Sequence, residues 1–337
     1  MRTNIYIDAS NFYYRILFAT GTNPELATDS ERDTYYESLA VSMFNMLNRF
    51  GACNEVYFVK DHVSWRKSYM TEYKKERQND DKGINFDNMQ IVSMRFEDFL
   101  KRINARIISC ENCEADDVIF YKVKNDKYVS VIVSGDNDFN QLISDTCFRY
   151  DAINNTLITP DSLMLPEVIN VKHSTKTVVA DKERAKKIIC GCKSDEVPGI
   201  YGIGDVKFEK IYQALKQNTD GNVSDYIMSH ISDASKAILP FLGKSTKVEP
   251  ESVPETLKTN IRLTVLSESA IDSVIMRKMS ESPELNTDTN EFFLPSKNSY
   301  LKAAGIYKPE QQQETDVRQA TLFKHHKLDD DMSFIKG

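Results

Sequence analysis

The chain contains 337 residues, 41% of them hydrophobic, and carries a formal net charge of −7. This hydrophobic share excludes a wholly disordered chain, and no apolar stretch approaches the length of a membrane span. The first apolar run begins at Ile5, so we expect no targeting peptide before it, and we expect a soluble cytoplasmic protein, in the host cytoplasm if the chain is viral. The net charge argues against a nucleic-acid partner, but local patches decide binding, and basic residues cluster over 66–77 and 182–187.

Short apolar runs alternate with helix-like segments over the first half of the chain. In chain order, the pattern predicts strand 4–8, helix 31–50, strand 55–60, helix 64–78, helix 90–103, strand 106–109, helix 114–124, strand 128–134, a short helix 138–144 and a last strand 147–151. This alternation is typical of the α/β class. We therefore expect a mostly parallel central sheet flanked by helices.

The second half of the chain is predicted to be helical. A basic helix over 181–190 precedes a turn-rich segment that ends at Gly204, and another helix runs from there through Leu215. Further helical stretches fall within 223–304, in an order that the pattern does not define. The tail from about residue 306 is polar, and we expect it to be flexible.

Three of the predicted strands end close to an aspartate. These residues are Asp8, Asp61 and Asp136, and Asp138 follows two positions after the last. Because the carboxyl ends of parallel strands meet at one crevice, we expect these side chains to lie close together. Crowded carboxylates repel one another unless a cation lies among them. The pattern therefore indicates a divalent metal, and metal with carboxylates indicates hydrolysis of a phosphodiester.

A second acidic cluster, with Glu114, Asp116 and Asp117, opens the helix predicted over 114–124. Acids at a helix start are often simple caps, but this helix follows a strand of the same sheet. Together the seven acids suit two ions about 4 Å apart. Oxygen ligands favour Mg²⁺ or Mn²⁺ over zinc.

Two further segments suggest contact with a nucleic acid. Lys74 and Arg77 lie three residues apart on a predicted helix, where they could hold phosphates, and Tyr73 could stack on a base; the alternative is a solvated helix face. The run from Gly199 to Gly204 resembles a hairpin that grips a DNA backbone through main-chain amides, although a plain helix-to-helix turn would have a similar pattern.

The cysteines leave one alternative open. Cys110 and Cys113 have the spacing of a zinc-ligand pair, and Cys190 and Cys192 lie close together, so a four-cysteine zinc site is conceivable. The interpretation that we favour is that these are reduced cysteines of an intracellular protein, several of them in apolar runs.

The order of the motifs resembles the 5′-nuclease (flap endonuclease) superfamily, in particular its phage type, to which the RNase H enzymes of T-even phages belong. The resemblance spans roughly residues 4–215, and several ordered motifs are more specific than any single one. The matching segments are Ile7-Asp8-Ala9-Ser10-Asn11, Tyr73-Lys74-Lys75-Glu76-Arg77, Glu114-Ala115-Asp116-Asp117, Ser134-Gly135-Asp136-Asn137-Asp138-Phe139 with Gln141-Leu142, and Asp195 with Pro198-Gly199-Ile200-Tyr201-Gly202-Ile203-Gly204.

The resemblance implies a fold, an activity and a domain organisation. The expected fold is a PIN-like nuclease core over 1–178 with a helical arch at about 64–104, a helix–hairpin–helix DNA-binding region over 179–305, and a tail over 306–337. The implied activity is that of a metal-dependent 5′→3′ exonuclease, flap endonuclease and RNase H. Such an enzyme acts on branched, nicked or RNA-primed duplexes and removes RNA primers during phage DNA replication.

The resemblance also implies roles for individual residues. The seven acids named above and Asp195 would hold the metal ions, directly or through water. Lys74 and Arg77 would contact the scissile phosphate, and Arg15 would contact a phosphate as well. The duplex would be gripped, often with a potassium ion, by Gly199, Gly202, Ile203 and Gly204. Phage members often carry an acid three residues before Asp195, where this chain has Cys192, so we expect its second ion to be held more weakly.

The tail carries a short motif, Gln319-Ala320-Thr321-Leu322-Phe323, which resembles peptides that dock onto sliding clamps. In that interpretation Gln319, Leu322 and Phe323 are the anchors; the alternative is a segment that folds back onto the protein. We expect a monomer whose partners are DNA, a sliding clamp and a single-stranded-DNA-binding protein. Two other functions remain open, namely a PIN-type ribonuclease and a non-catalytic DNA-junction binder, which the glycine hairpin and the full acid set respectively disfavour.

Overall fold

The structure is a computed structural model that describes residues 2–50, 53–75, 83–161, 172–219, 222–242, 249–287 and 292–307. The chain divides into two compact units, Met1–Leu294 and Pro295–Gly337. The described part of the second unit contains one helix, Lys297–Ala304, which begins after the capping residue Ser296 and ends at Gly305 in the left-handed conformation. No described helix combines the length and the apolar character needed to cross a membrane.

The first unit is built on a seven-stranded sheet. Its strands in chain order are β1 (Thr3–Asp8), β2 (Cys53–Val59), β3 (Arg106–Ile108), β4 (Val129–Val133), β5 (Cys147–Asp151), β6 (Thr156–Pro160) and β7 (Ser174–Val178). The spatial order is β3-β2-β1-β4-β5-β6-β7, and among these described strands only the β5–β6 pair is antiparallel. The predicted α/β class with a mostly parallel sheet is therefore confirmed.

The strand order reverses at β1, which pairs with β2 on one side and β4 on the other. The residues of β1 and β4 are almost entirely buried, as expected for strands covered by helices on both faces. In an open parallel sheet the crevice for ligands lies beyond the carboxyl ends of the strands at such a reversal. The topology therefore places the expected ligand crevice at the residues that follow β1 and β4.

Helices cover the first part of the sheet. They are α1 (Ala9–Ala19), α2 (Asp29–Leu47), α3 (Arg66–Tyr69), α4 (Phe86–Arg102) and α5 (Ala115–Lys124), and a 3₁₀ helix spans Asn137–Leu142. The predicted helix over 64–78 is wrong within the described residues. It stops after one turn at Tyr69, and Lys74 adopts a left-handed conformation with φ of 54° that no helix continues through.

The pattern also missed three elements of the sheet region. It did not identify α1, and it ended the sheet at 147–151, before β6 and β7. Strand β7 has the sequence Ser-Thr-Lys-Thr-Val and is exposed along most of its length, so it offers no apolar signal. On α4, Ile91 and Met94 lie on the outer face and are 58% and 60% exposed. The buried face is formed by Met89, Val92, Phe96, Phe99 and Leu100.

After the sheet, the first unit is mainly helical and has its own apolar core. Its elements are α6 (Ala180–Cys190), β8 (Gly191–Cys192), β9 (Val197–Pro198), α7 (Asp205–Lys216), α8 (Val223–Ser229), α9 (Ile231–Ile238), α10 (Ser252–Thr264), α11 (Ser273–Glu281) and α12 (Pro283–Asn286). None of the six cysteines forms a disulfide. Among the described residues no four-cysteine group exists, because Cys110 and Cys113 pack in the core beneath α5 whereas Cys192 packs elsewhere.

A buried glutamine joins the helical region to the sheet. Gln141 lies in the 3₁₀ helix after β4, and its side chain donates to the carbonyl of Thr264 at 2.9 Å and accepts from the amide of Leu266 at 3.3 Å. Its own carbonyl accepts from Arg184 of α6 at 3.1 Å. Because the two bonds of the glutamine side chain are buried, breaking either of them is costly. The segment that follows β4 is therefore held at a fixed position relative to α6 and α10.

The turn between α6 and α7 depends on a close backbone approach. Strands β8 and β9 form a small antiparallel pair, and Gly199, which follows β9, lies against the main chain of Cys190. A Cβ atom on Gly199 would lie 2.1 Å from the Cys190 carbonyl oxygen, whereas a Cβ atom on Gly204 would meet nothing within 4 Å. The two glycines of this turn therefore face different constraints.

We expect Gly199→Ser to lower the free energy of unfolding by about 1–3 kcal/mol, the usual cost of forcing extra atoms into a packed site. The matched control is Gly204→Ser. Gly204 is the N-cap of α7 with φ of −101°, a position where serine is favoured, so this variant should be at least as stable as the parent. Urea denaturation of both variants tests the difference, and equal losses would contradict it.

Candidate metal centre

One cleft of about 250 Å³ lies at the carboxyl edge of the sheet, at the strand-order reversal. Carboxylates reach it from the ends of β1, β2 and β4 and from the start of α5. Its lining residues are Asp8, Ser10, Asn11, Tyr14, Asp61, Lys74, Glu114, Ala115, Asp116, Asp136 and Phe139. The structure thus brings together five of the seven acids singled out from the sequence, together with Lys74.

Asp8 is held at the junction of β1 and α1. One carboxylate oxygen accepts from the Asn11 amide at 3.1 Å, which caps α1, and the other accepts from the Ser134 hydroxyl at 3.0 Å. Burial, with the charge of Asp61 as the next largest cause, raises the pKa of Asp8 to about 7. The carboxylate is therefore oriented but short of positive charge.

Asp61 and Asp136 are oriented in the same way, each by a main-chain amide. Asp61 Oδ1 accepts from the Ala115 amide at the start of α5 at 2.8 Å, and Ser10 donates to its other oxygen. Asp136 Oδ1 accepts from the Asp138 amide at 2.8 Å and caps the 3₁₀ helix. Because helix starts hold both side chains in place, the two carboxylates are preorganised where they line the cleft.

Glu114 differs from the other acids because cations of the chain already surround it. Lys74 pairs with one of its oxygens, and Arg66, Ser64 and Tyr73 contact the other, each at 3.0 Å. Burial would raise the pKa of Glu114, but the charges of Lys74 and Arg66 outweigh burial and lower it to about 2. Glu114 is therefore an ionised residue that positions Lys74 at the cleft.

Asp117 does not reach the cleft. It is fully buried, and both carboxylate oxygens accept from the Arg66 guanidinium, at 2.7 and 2.9 Å, while Trp65 Nε1 donates to it at 3.1 Å. We therefore remove Asp117 from the predicted metal ligands, because its oxygens are committed to Arg66. Asp116 is the member of this cluster that lines the cleft, and burial raises its pKa well above the ordinary value.

Arg66 is a site residue that the sequence did not identify. Its side chain is 1% exposed and lies within 4.0 Å of Glu114, Asp116 and Asp117. From the sequence it belonged to a basic cluster expected to face a nucleic acid. Burial of an arginine leaves no pattern in a single sequence, so nothing distinguished it from its exposed neighbours.

Tyr73 was predicted to stack on a base, and the structure places it elsewhere. The side chain is 2% exposed and packs with Cys192, Val197 and Leu263. Its hydroxyl donates to Glu114. Because a ring enclosed in this way has no free face for a base, we assign Tyr73 to the support of the site.

The other residues predicted to bind DNA or a partner fall into two groups. The structure describes the positions of some of them, and the rest lie outside the described residues. Arg15 lies over the ring of Phe12, with its guanidinium carbon 5.2 Å from the centroid, and it is not part of the cleft lining. Arg77 and the tail residues Gln319, Leu322 and Phe323 lie outside the described residues. In the glycine turn, Gly202 and Gly204 are exposed whereas Ile203 packs in the helical core.

A second group of side chains that could bind a metal ion lies beside the cleft. Side-chain atoms of Asp138, Cys192 and Asp195 lie within 4.8 Å of one another. The ammonium of Lys187, on α6, forms an ion pair with Asp138 and lies 3.1 Å from the Cys192 sulfur. We call these four residues the lysine cluster. The sequence placed Lys187 only in a basic stretch, because its partners are remote in sequence.

The two groups suit metal ions to different degrees. The cleft offers oxygen donors from several elements. Burial is the main reason that the pKa values of Asp8 and Asp116 are raised, and nearby carboxylates add to it. A hard divalent ion such as Mg²⁺ would stabilise the ionised form of these donors and fits such a site. The lysine cluster offers only two carboxylates, with a thiol and an ammonium. That donor set does not suit Mg²⁺.

We expect the affinity of the cleft for Mg²⁺ to fall about tenfold when the pH is lowered from 8 to 6. With its pKa at about 7, Asp8 is mostly ionised at the higher pH and mostly protonated at the lower, where the ion must displace the proton. Calorimetric titration without DNA measures this dependence. Asp8→Asn, whose amide does not titrate, should lose the part of this pH dependence that comes from Asp8. A parent protein whose Mg²⁺ affinity is the same at both pH values would contradict the assignment of Asp8 as a metal ligand.

Part of this chain matches a known protein family, and two known proteins are similar to it in sequence. Residues 3–172 match the family model described as 5′-3′ exonuclease, N-terminal resolvase-like domain. The chain is 29% identical over 221 residues to the DNA polymerase I of Caldicellulosiruptor bescii, which is 63% of this chain and 25% of that protein. It is 27% identical over 206 residues to a 5′-3′ exonuclease of Buchnera aphidicola subsp. Schizaphis graminum, which is 59% of this chain and 66% of that protein.

Solved structures with the same fold come from phage T5. A zinc-bound structure of T5 5′-exonuclease has a TM-score of 0.53 at 18% identity, covering 90% of this chain and 100% of that chain. A mutant of the same exonuclease has a TM-score of 0.50 at 16% identity with the same coverage. Since the family model matches half of the sequence, this chain belongs to the 5′-3′ exonuclease family with the N-terminal resolvase-like domain.

Proposed function

We propose that this protein is a metal-dependent 5′→3′ exonuclease and flap endonuclease, which hydrolyses phosphodiesters near the 5′ ends of DNA. The observation that carries the proposal is the cleft itself, where acids from three strands and one helix converge beside Lys74. Family membership and the name of the Buchnera relative support it. A pure DNA binder would gain nothing from acids that repel phosphate.

We propose that four cleft acids hold a divalent ion, and that the ion in the cell is Mg²⁺ or Mn²⁺. These acids are Asp8, Asp61, Asp116 and Asp136. The T5 structure, which has zinc in a protein of the same fold, supports a divalent ion here. When bound, such an ion supplies Lewis-acid activation of water and of a phosphate oxygen. The chain contributes the fixed orientation of the acids, each held by an amide or a hydroxyl.

Lys74 is the residue that we propose to contact the scissile phosphate. Glu114 holds its ammonium at the cleft, and its main chain is anchored because the Lys74 amide donates to the Asp195 carbonyl at 3.2 Å. The next amide, of Lys75, donates to the Glu196 carboxylate. A cation fixed at two points opposes the charge that develops on phosphate without further reorganisation. Arg77 stays a prediction for the same role.

Duplex DNA is proposed to bind at the turn before α7. Gly202 has a positive φ of 79°, and it is exposed together with Gly204 at the start of the helix, where unpaired amides attract phosphate. Tyr201 and Val206 flank the turn and are 62% and 74% exposed. These exposed groups give the backbone of a duplex close access to the main chain. A potassium ion at this turn stays a prediction.

The biological setting that we propose is removal of RNA primers during phage DNA replication, with RNase H activity and action on branched, nicked or RNA-primed duplexes. The sequence resemblance supports this setting. The docking of the tail onto a sliding clamp through Gln319, Leu322 and Phe323 belongs to the same proposal, as does association with a single-stranded-DNA-binding protein. The domain limits at 178 and 305 likewise stay proposals.

We expect Asp136→Asn to reduce cleavage of a 5′-labelled flap substrate more than ~100-fold, since even outer residues of a metal site can cost up to that factor. Binding of the substrate should persist, because the amide removes a negative charge from the cleft. The matched control is Asp145→Asn, an exposed aspartate before β5, at the opposite edge of the sheet. Full cleavage by the Asp136 variant would overturn the proposed function.

Replacement of the cleft lysine tests the phosphate contact. We expect Lys74→Ala to lower the cleavage rate on the order of 10²–10³-fold, as loss of one preorganised charge partner does elsewhere. Lys75→Ala, at the exposed neighbouring position, should retain nearly full activity because its main chain makes the anchoring contact. Single-turnover rates on the same flap substrate compare the two. Equal effects would show that Lys74 has no special contact.

A further inference from the structure

The lysine cluster places an ammonium where positive charge is needed. Asp138 and Asp195 lie close together, Asp195 is 4% exposed, and Lys187 forms the ion pair with Asp138. The Lys187 ammonium also contacts the Cys192 sulfur at 3.1 Å. Its side chain is 20% exposed, whereas a surface lysine would extend into solvent. The cation of Lys187 is therefore part of the acidic cluster.

The position of Lys187 is set by hydrogen bonds between α6 and its neighbours. Arg184, one turn earlier, donates to the Gln141 carbonyl, and Asn260 donates to the carbonyl of Ile188 at 2.9 Å. Gln141 lies three residues after Asp138 in the same 3₁₀ helix. The helix that carries the ammonium and the segment that carries the carboxylate are thus fastened together.

Neighbouring lysines of α6 lack this geometry. Lys182 pairs with Glu209 at 2.7 Å and Lys186 pairs with Asp205 at 2.7 Å, and both side chains are more than a third exposed. The difference follows from the helix period, which turns position 187 toward Asp138. Lys187 is therefore distinguished by its placement, and the other lysines of α6 provide controls.

We propose that Lys187 supplies the positive charge at the place where a two-ion nuclease would hold its second divalent ion. This inference rests on the proposed function. An ion bound by Asp138, Cys192 and Asp195 would lie beside the ammonium and be repelled by it. The thiol is also a poor partner for a hard ion. The protein therefore holds one divalent ion tightly, in the cleft, and the lysine cluster excludes a second.

The test is a count of Mn²⁺ ions on the full-length protein without DNA, by electron paramagnetic resonance of free Mn²⁺. The parent should bind one ion tightly. Lys187→Met should bind a second ion at least ~10-fold more tightly than the parent does, the scale of effects around metal ligands. Lys187→Arg, which keeps the charge, should remain at one ion. Lys186→Met is the matched control and should also remain at one.

Two results would overturn the inference. These are a parent that already binds two ions with similar affinity, and a Lys187→Met protein that still binds one. Thermal melting checks that each variant folds, and Lys187→Gln is the second neutral variant if the methionine variant does not. Asp136→Asn identifies the cleft ion, because that ion alone should be lost. Failure of flap cleavage would refute the proposed function without changing the ion count, so the two outcomes are distinguishable.

Discussion

The site depends on the electrostatic repulsion among carboxylates at the carboxyl end of the sheet and on the cationic side chains that reduce it. Strand order brings Asp8 and Asp136 together, and α5 adds Asp116. Three basic side chains of the protein, Arg66, Lys74 and Lys187, offset part of this charge. Burial and the neighbouring carboxylates nevertheless raise the pKa values of Asp8 and Asp116 in the cleft. The charge left over is what prepares the site for a divalent ion.

The three cations are not equivalent. Arg66 is enclosed and holds Asp117 and Glu114, so it stabilises the start of α5. Lys74 is held by Glu114 but borders the cleft, where a substrate phosphate can reach it. Lys187 belongs to the adjoining cluster, where it competes with an external ion. The buried Arg66 stabilises the fold, and Lys74 at the border of the cleft is placed to contact the substrate. Lys187, which lies among the acids of the adjoining cluster, limits how many metal ions bind.

The sequence predicted the fold class and the convergence of acids because both follow from one pattern, an apolar strand that ends at an aspartate. It did not predict which acids face the cleft. Asp116 and Asp117 are neighbours, and the start of α5 sends one to the cleft and the other to Arg66. The burial of Tyr73 and the role of Lys187 depend on contacts across more than forty positions. No spacing within a single segment records such contacts.

The link between Lys74 and the turn at Asp195 and Glu196 has a geometric consequence. Through the amides of Lys74 and Lys75, it ties the backbone that carries the cleft cation to the same region that presents the glycine turn. If a double helix is gripped at that turn, the number of nucleotides between the grip and the reactive phosphate is dictated by the protein. The link then acts as a ruler, and the position of the cut follows from the length of the span, whatever the base sequence.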